Sequence, residues 1–135
     1  MNRRDAAALM AAALLSSGAA RAQAAYPNRP VKLINPFPPG SPVDVVARLV
    51  AQKLGEAWNE SVVVESRAGA GGTVGAEQVA RAQPDGYTLL VTSASTHVIA
   101  PNLRKAMPYD AQKDFIPISL VAHGPTLIVV HPSLP

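Results

Sequence analysis

The spacing of apolar positions changes several times along the chain, and each change predicts an element. Residues 31–37, VKLINPF, alternate, then run apolar and stop at prolines. The stretch is too short for a helix and predicts a buried strand. SPVDVVARLVAQKLGEAW follows, with Val43, Val46, Ala47, Val50 and Leu54 at helical spacing and Asp44, Arg48 and Gln52 sharing another face. This predicts an amphipathic helix. Ser41 suits its N-cap, Pro42 the first helical position, and Asp44 completes a Ser-x-x-Asp capping pattern. SVVVES predicts a second strand. After RAGAGGTVG, the stripe Ala76, Val79 and Ala80 predicts a helix that ends near Gln83, because Pro84 disfavours helical angles in the residue before it. A PDG turn then leads into a third strand, YTLLVTS.

Strand, helix, strand, helix, strand at short spacing implies two right-handed βαβ units, an α/β fold with a parallel βαβαβ core. The pattern then loosens. SASTHVIAPNLRKAMPYDAQKDF is polar and broken by prolines, with room for a short helix over Thr96 to Leu103. FIPISLVA and PTLIVVHP predict two more strands, and Pro117 places the first at an edge or a strand start.

Residues 1–24 follow a different rule. Arg3 and Arg4 precede an Ala/Leu-rich run, then small residues at Ala20, Ala22 and Ala24, which is the pattern of a secretory signal peptide. Cleavage after Ala22 or Ala24 fits equally well, and the arginine pair admits either the general or the twin-arginine export route. The apolar run is shorter than the roughly twenty residues needed to span a bilayer, so no permanent membrane anchor is expected. The 135 residues include no cysteine, which excludes a lipid-anchored cysteine and a disulfide framework. These features predict a periplasmic protein whose folded part is residues 25–135. Over that part, nine Lys/Arg against eight Asp/Glu leave a net charge of +1. The basic balance of the whole chain therefore comes largely from the leader. No basic cluster with interleaved aromatics remains, so nucleic-acid binding is not expected.

In an open parallel sheet, ligands bind beyond the carboxyl ends of the strands. Three loops fall there: PFPPGSPVD, SRAGAGGTVG and TSASTH. All three lead into helix starts, whose free N–H groups and positive dipole ends favour an anion. The run from Gly69 to Gly75, GAGGTVG, has Val74 where a GxGxxG fingerprint requires its last glycine, and YTLLVTS ends in Ser93 rather than an acidic residue. A nucleotide-binding enzyme is thus the alternative reading, and no P-loop is present. Ser93 or Ser95, His97 and Asp44 could be imagined as a hydrolytic triad, but no G-x-S-x-G elbow occurs. Local packing accounts for His97, and capping for Asp44. His123 and His131 lack partners for a metal. No catalytic residue, metal or cofactor is assigned.

Three stretches carry a family resemblance: YPNRPVKLINPFPPGSPVDVVARLVAQKL, VVVESRAGAGGTVGAEQVARAQPDGYTLLVTSASTHVIAPNL and PYDAQKDFIPISLVAHGPTLIVVHPSLP. In order and spacing the chain resembles the substrate-binding receptors of tripartite tricarboxylate transporters, the Bug proteins. The resemblance implies a type II periplasmic binding fold, a two-lobed Venus flytrap that closes on a small carboxylate and delivers it to membrane components of the transporter. It further implies that the first lobe's share of the cleft comes from Phe37, Pro39, Gly40 and Ser41 in the first loop, Gly71, Gly72 and Thr73 in the second, and Ser93, Ser95 and Thr96 in the third. Asp44 could meet an amino group of an amino-acid ligand. The departures from the family pattern are Ser41 and Val43 for a common glycine and threonine, and Ser66 and Ala68 for a common asparagine and proline.

Members of that family continue past the segment equivalent to PSLP into a second lobe. Residues 25–135 are therefore expected to form an incomplete first lobe, with weak or no binding by itself. An interaction module that pairs its unfinished sheet with another chain is a further alternative.

Overall fold

The computed structural model describes residues 25–124 and 127–133. The predicted signal peptide lies outside the described residues, as do Pro125, Thr126, Leu134 and Pro135. Among the described residues three parallel strands form the sheet: β1, Val31–Asn35; β2, Val62–Ser66; and β3, Thr88–Leu90. Their order is β2-β1-β3, with Val31 opposite Val62 and Leu33 between Val64 and Leu89. The first strand in sequence is thus the central one. Its side chains are accordingly the most buried, with Val31, Leu33, Ile34 and Asn35 almost free of solvent contact.

Helix α1, Pro42–Trp58, crosses from β1 to β2, and α2, Thr73–Ala80, from β2 to β3. The two crossovers run to opposite sides of β1, so right-handed connections place the helices on opposite faces of the sheet. On the α1 side, Leu33, Ala47, Ala51 and Val91 form the core, joined by Val43, Val50, Val62, Val64 and Leu89. Strand alternation turns Ile34 to the other face, where α2 buries Gly75 and Ala76. The helix ends follow the predicted chemistry: Ser41 caps α1 through its Oγ, and Asn59 closes it in the left-handed conformation at φ 54°.

At the opposite end of the sheet, the entering chain is tied to the turn before β3. The Tyr26 hydroxyl donates to Gly86 O at 2.7 Å, and the Tyr26 ring meets Trp58 and Tyr87 edge-on. Arg29 pairs with Asp85 at 2.7 Å and lies 4.0 Å over the Tyr87 ring.

The α/β class and the βαβαβ core are as the pattern predicts; four details differ. Asp44, assigned to a polar face with Arg48 and Gln52, is only 3 % exposed. The predicted strand YTLLVTS contracts to three paired residues, because only Lys32 to Ile34 of β1 face it. Helix α2 stops at Ala80, with the chain turning at Arg81 and Ala82 before Gln83 is reached. The predicted strands FIPISLVA and PTLIVVHP are not strands in their described residues. Ile116 is 89 % and Ile128 95 % exposed. A strand exists only through a paired neighbour, and the described residues of neither segment are hydrogen-bonded to β2 or β3, so apolar composition alone does not make one. The short helix anticipated over Thr96 to Leu103 is present as one wide turn, Ser95–Ile99, running into α3, Ala100–Leu103.

Candidate functional site

The loop after β1 is held from beneath. Asn35, fully buried, donates through Nδ2 to Phe37 O (3.1 Å), Asp44 Oδ1 (3.0 Å) and Ser66 Oγ (3.3 Å), and its Oδ1 accepts from Phe37 N (3.1 Å). Asp44 Oδ2 accepts from Gly40 N and from Arg48 Nε, both at 2.9 Å. The predicted capping pattern is therefore half reciprocal. Ser41 Oγ accepts from Asp44 N (3.2 Å), whereas the carboxylate reaches Gly40 N, and Ser41 N donates to Pro38 O. Gly40 turns at φ +81°, which lets its N–H point inward at Asp44. Both Asp44 oxygens are thus engaged behind the loop.

The Arg48 hydrogen bond, followed by that from Gly40 N, holds the Asp44 carboxyl below the usual aspartate range. A folded-state value depressed in this way stabilises the fold above the ordinary aspartate pKa of about 3.9 and loses that contribution as pH falls through the folded value. Asp44→Asn is expected to lower the melting temperature at pH 7 and to flatten its decline below about pH 4. Melting curves from pH 7 to pH 2 check this; parallel profiles for the two proteins would contradict it.

The loop after β2 is a run of four residues at positive φ: Gly69 (+151°), Ala70 (+47°), Gly71 (+70°) and Gly72 (+92°). It is closed by Gly72 N donating to Gly69 O (2.9 Å) and Thr73 Oγ1 donating to Ala70 O (3.0 Å). The loop after β3 docks onto it. Thr96, fully buried, donates from Oγ1 to Gly71 O at 3.1 Å, and Tyr109 Oη donates to Thr96 O at 2.9 Å. A Cβ added at Gly72 would lie 2.4 Å from Thr96 Oγ1 and 3.4 Å from Phe37 Cζ, so all three loops meet at this glycine. Ser93 Oγ and Ser95 Oγ share a 2.7 Å hydrogen bond nearby in sequence. His97 packs against Phe115 and Tyr109, and its burial pushes its pKa down.

The residues singled out from sequence fall into two groups. Phe37, Gly71, Gly72, Thr73 and Thr96 come together, but Gly72, Thr73 and Thr96 are buried; the Thr73 hydroxyl closes its own loop, and the Thr96 hydroxyl ties the third loop to the second. The surface left open consists of Pro39, Gly40, Gly71 and Ser95, with Ser41 and Ser93 half-buried beside them. It is a surface of backbone and hydroxyl groups.

Three supporting residues escaped the sequence reading: Asn35, Tyr109 and Arg104. Asn35 had a signal, a polar residue ending an apolar strand. Arg104 had none, since it reaches Ala70 O (2.8 Å) and Thr73 Oγ1 (3.3 Å) across more than thirty residues of chain.

A three-stranded parallel sheet whose loops gather beyond the carboxyl ends of its strands is the architecture of an open α/β ligand-binding lobe. A solved periplasmic transporter superposes on it with a TM-score of 0.63 at 45 % identity, covering 64 % of this chain and 29 % of that one. The family described as the tripartite tricarboxylate transporter family receptor (TctC) matches residues 46–135, and the chain belongs to that family. It is similar to a UPF0065 protein of Bordetella bronchiseptica, 45 % identical over 123 residues, which are 90 % of this chain and 37 % of the relative. It is also similar to protein BugT of Bordetella pertussis, 42 % identical over 110 residues, or 81 % and 34 % of the two chains. Among solved structures, MatC of Rhodopseudomonas palustris with bound malate gives a TM-score of 0.68 at 40 % identity, over 71 % of this chain and 33 % of that one. The chain spans little more than a third of the length of these curated relatives.

Proposed function

We propose that the chain forms one wall of the solute cleft in a periplasmic receptor that binds a small carboxylate and passes it to a tripartite transporter. The role is binding, without catalysis or a cofactor. The observation that carries this reading is the convergence at Gly72 of the loops after β1, β2 and β3, the position where an open parallel sheet takes its ligand. Malate in the MatC structure and adipate in that of Rpa4515 of Rhodopseudomonas palustris, which has a TM-score of 0.59 at 36 % identity, support a carboxylate as the solute.

On this reading the solute is held by the hydroxyls of Ser41, Ser93 and Ser95 and the backbone of Gly71, while Pro39, which has no N–H, and Gly40, whose N–H is bound to Asp44, form the floor of the open surface. Phe37, Gly72, Thr73 and Thr96 shape that surface from behind. Asp44 positions Gly40 and does not touch the solute.

One helix N-terminus contributes about 0.3–1 kcal/mol toward an anion, whereas micromolar binding requires about 8 kcal/mol. One wall is therefore insufficient, and a second wall must supply enclosure and further hydrogen bonds. In this proposal that wall comes from sequence equivalent to the remainder of the relatives' length. Isothermal titration with malate, adipate, citrate and glutamate tests it. The receptor at the full length of its relatives should bind at least one of these in the micromolar range, and residues 25–135 alone should show no saturation below about 1 mM, an affinity of roughly 4 kcal/mol. Sub-micromolar binding by the short form would overturn the two-wall reading. Failure of every carboxylate with the long form would overturn the receptor assignment.

A further inference from the structure

Five arginines lie among the described residues, and four are neutralised locally. Arg29 pairs with Asp85, Arg48 with Asp44, Arg67 with Glu65 and Arg81 with Glu77. Arg104 is the exception: no carboxylate among the described residues lies within ion-pair distance of it. It is nonetheless held in place. Its two terminal nitrogens donate to Ala70 O and Thr73 Oγ1, and one stands 3.8 Å from the Cβ position of Gly71. The side chain is exposed, and a guanidinium carries five N–H donors. Two are used on the loop, and three remain.

We infer that Arg104 is a specificity-determining residue of the solute site, supplying the counter-charge for a second carboxylate on the solute. The inference rests on the receptor reading above and deepens it. The hydrogen bonds to Ala70 O and Thr73 Oγ1 need only N–H groups, which a neutral amide would provide. The positive charge is surplus to that task. It sits against the glycine-rich loop, where Ala70 and Gly71 are both exposed and Gly71 belongs to the open surface, and no proposed contact on this wall is itself charged, Asp44 being turned inward. Backbone and hydroxyl donors can hold one carboxylate, but they do little to separate a dianion from a monoanion of the same shape. A fixed guanidinium does so, because charge-assisted hydrogen bonds are markedly stronger than neutral ones and the pre-ordered side chain loses little freedom when the solute arrives.

The test compares malate and adipate with the monoamide of each, using the receptor at the full length of its relatives as wild type, Arg104→Gln and Arg104→Lys. Wild type should favour the dianion. Arg104→Gln should weaken binding of the dianion about 10- to 100-fold, the range expected for loss of one hydrogen bond to a charged group, while the monoamide changes by less than about threefold. Arg104→Lys should recover part of the preference. Because Arg104→Gln could disturb the loop, wild type is also titrated between low and high salt, where the dianion should lose more affinity than the monoamide. Equal weakening of both ligands by Arg104→Gln, with equal salt dependence in wild type, would show that Arg104 only holds the loop and would overturn the inference while leaving the receptor reading intact. So would unchanged preference in Arg104→Gln. Absence of binding by any of these carboxylates to wild type would remove both.

Discussion

Gly72→Ala is expected to destabilise the chain by about 2–6 kcal/mol, the sum of backbone strain of about 1–3 kcal/mol and overpacking of about 1–3 kcal/mol. The two contributions have separate sources. The position turns at φ +92°, outside the range that a side chain tolerates, and the added methyl would lie 2.4 Å from Thr96 Oγ1, inside a buried contact. Thr96 cannot simply rotate away, because its hydroxyl holds Gly71 O and its carbonyl accepts from Tyr109. Gly40→Ala separates strain from crowding: φ there is +81°, yet nothing lies within 4 Å of the added atom. Its cost should be about 1–2 kcal/mol. Thermal melts should place Gly72→Ala on the order of 10 °C below wild type. Equal losses for the two variants would mean that the three loops do not meet as described.

Asn35→Leu should cost about the same for a different reason. The side chain is fully buried and answers Phe37 N, Phe37 O, Asp44 Oδ1 and Ser66 Oγ. Leucine has similar volume and satisfies none of them. A buried group stripped of its partner costs about 1–3 kcal/mol, and water reaching the exposed side of the loop relieves part of the total, so a loss of about 3 kcal/mol is expected. Urea unfolding measures it, and hydrogen exchange should show Phe37 N and Gly40 N losing protection together, since Asn35 steadies the carboxylate that holds Gly40. A change under about 0.5 kcal/mol, the scale of ordinary surface substitutions, would show the network to be dispensable.

Both effects mark where the sequence was readable and where it was not. Periodicity identified α1 and the strands because burial of one face dictates period 3.6 or 2, and the end chemistry of Ser41, Pro42 and Gly40 needed only neighbours in the chain. Asp44 shows the limit of that logic. As one turn of a helix it belongs with Arg48 and Gln52, but it lies over Asn35 at the end of the central strand, and a buried amide turns an outward position into an inward one. The roles of Thr73 and Thr96 were likewise hidden. Both read as hydroxyls for a ligand, yet Thr73 bonds back to Ala70 O within its own turn, and Thr96 reaches Gly71 O through a contact that no local pattern encodes. The segments FIPISLVA and PTLIVVHP mislead in the other direction: their composition is that of strands, but pairing is a property of a neighbour.

The central place of β1 also bears on how the molecule assembles. The strand that ends most deeply buried is made first, while both of its partners lie far along the chain, so Val31, Leu33 and Ile34 can find no ladder until residues near Ser66 and then Leu90 have followed. Pairings of such wide sequence separation close more slowly than purely local contacts. The central strand is therefore the first to be synthesised and the last to be fully paired.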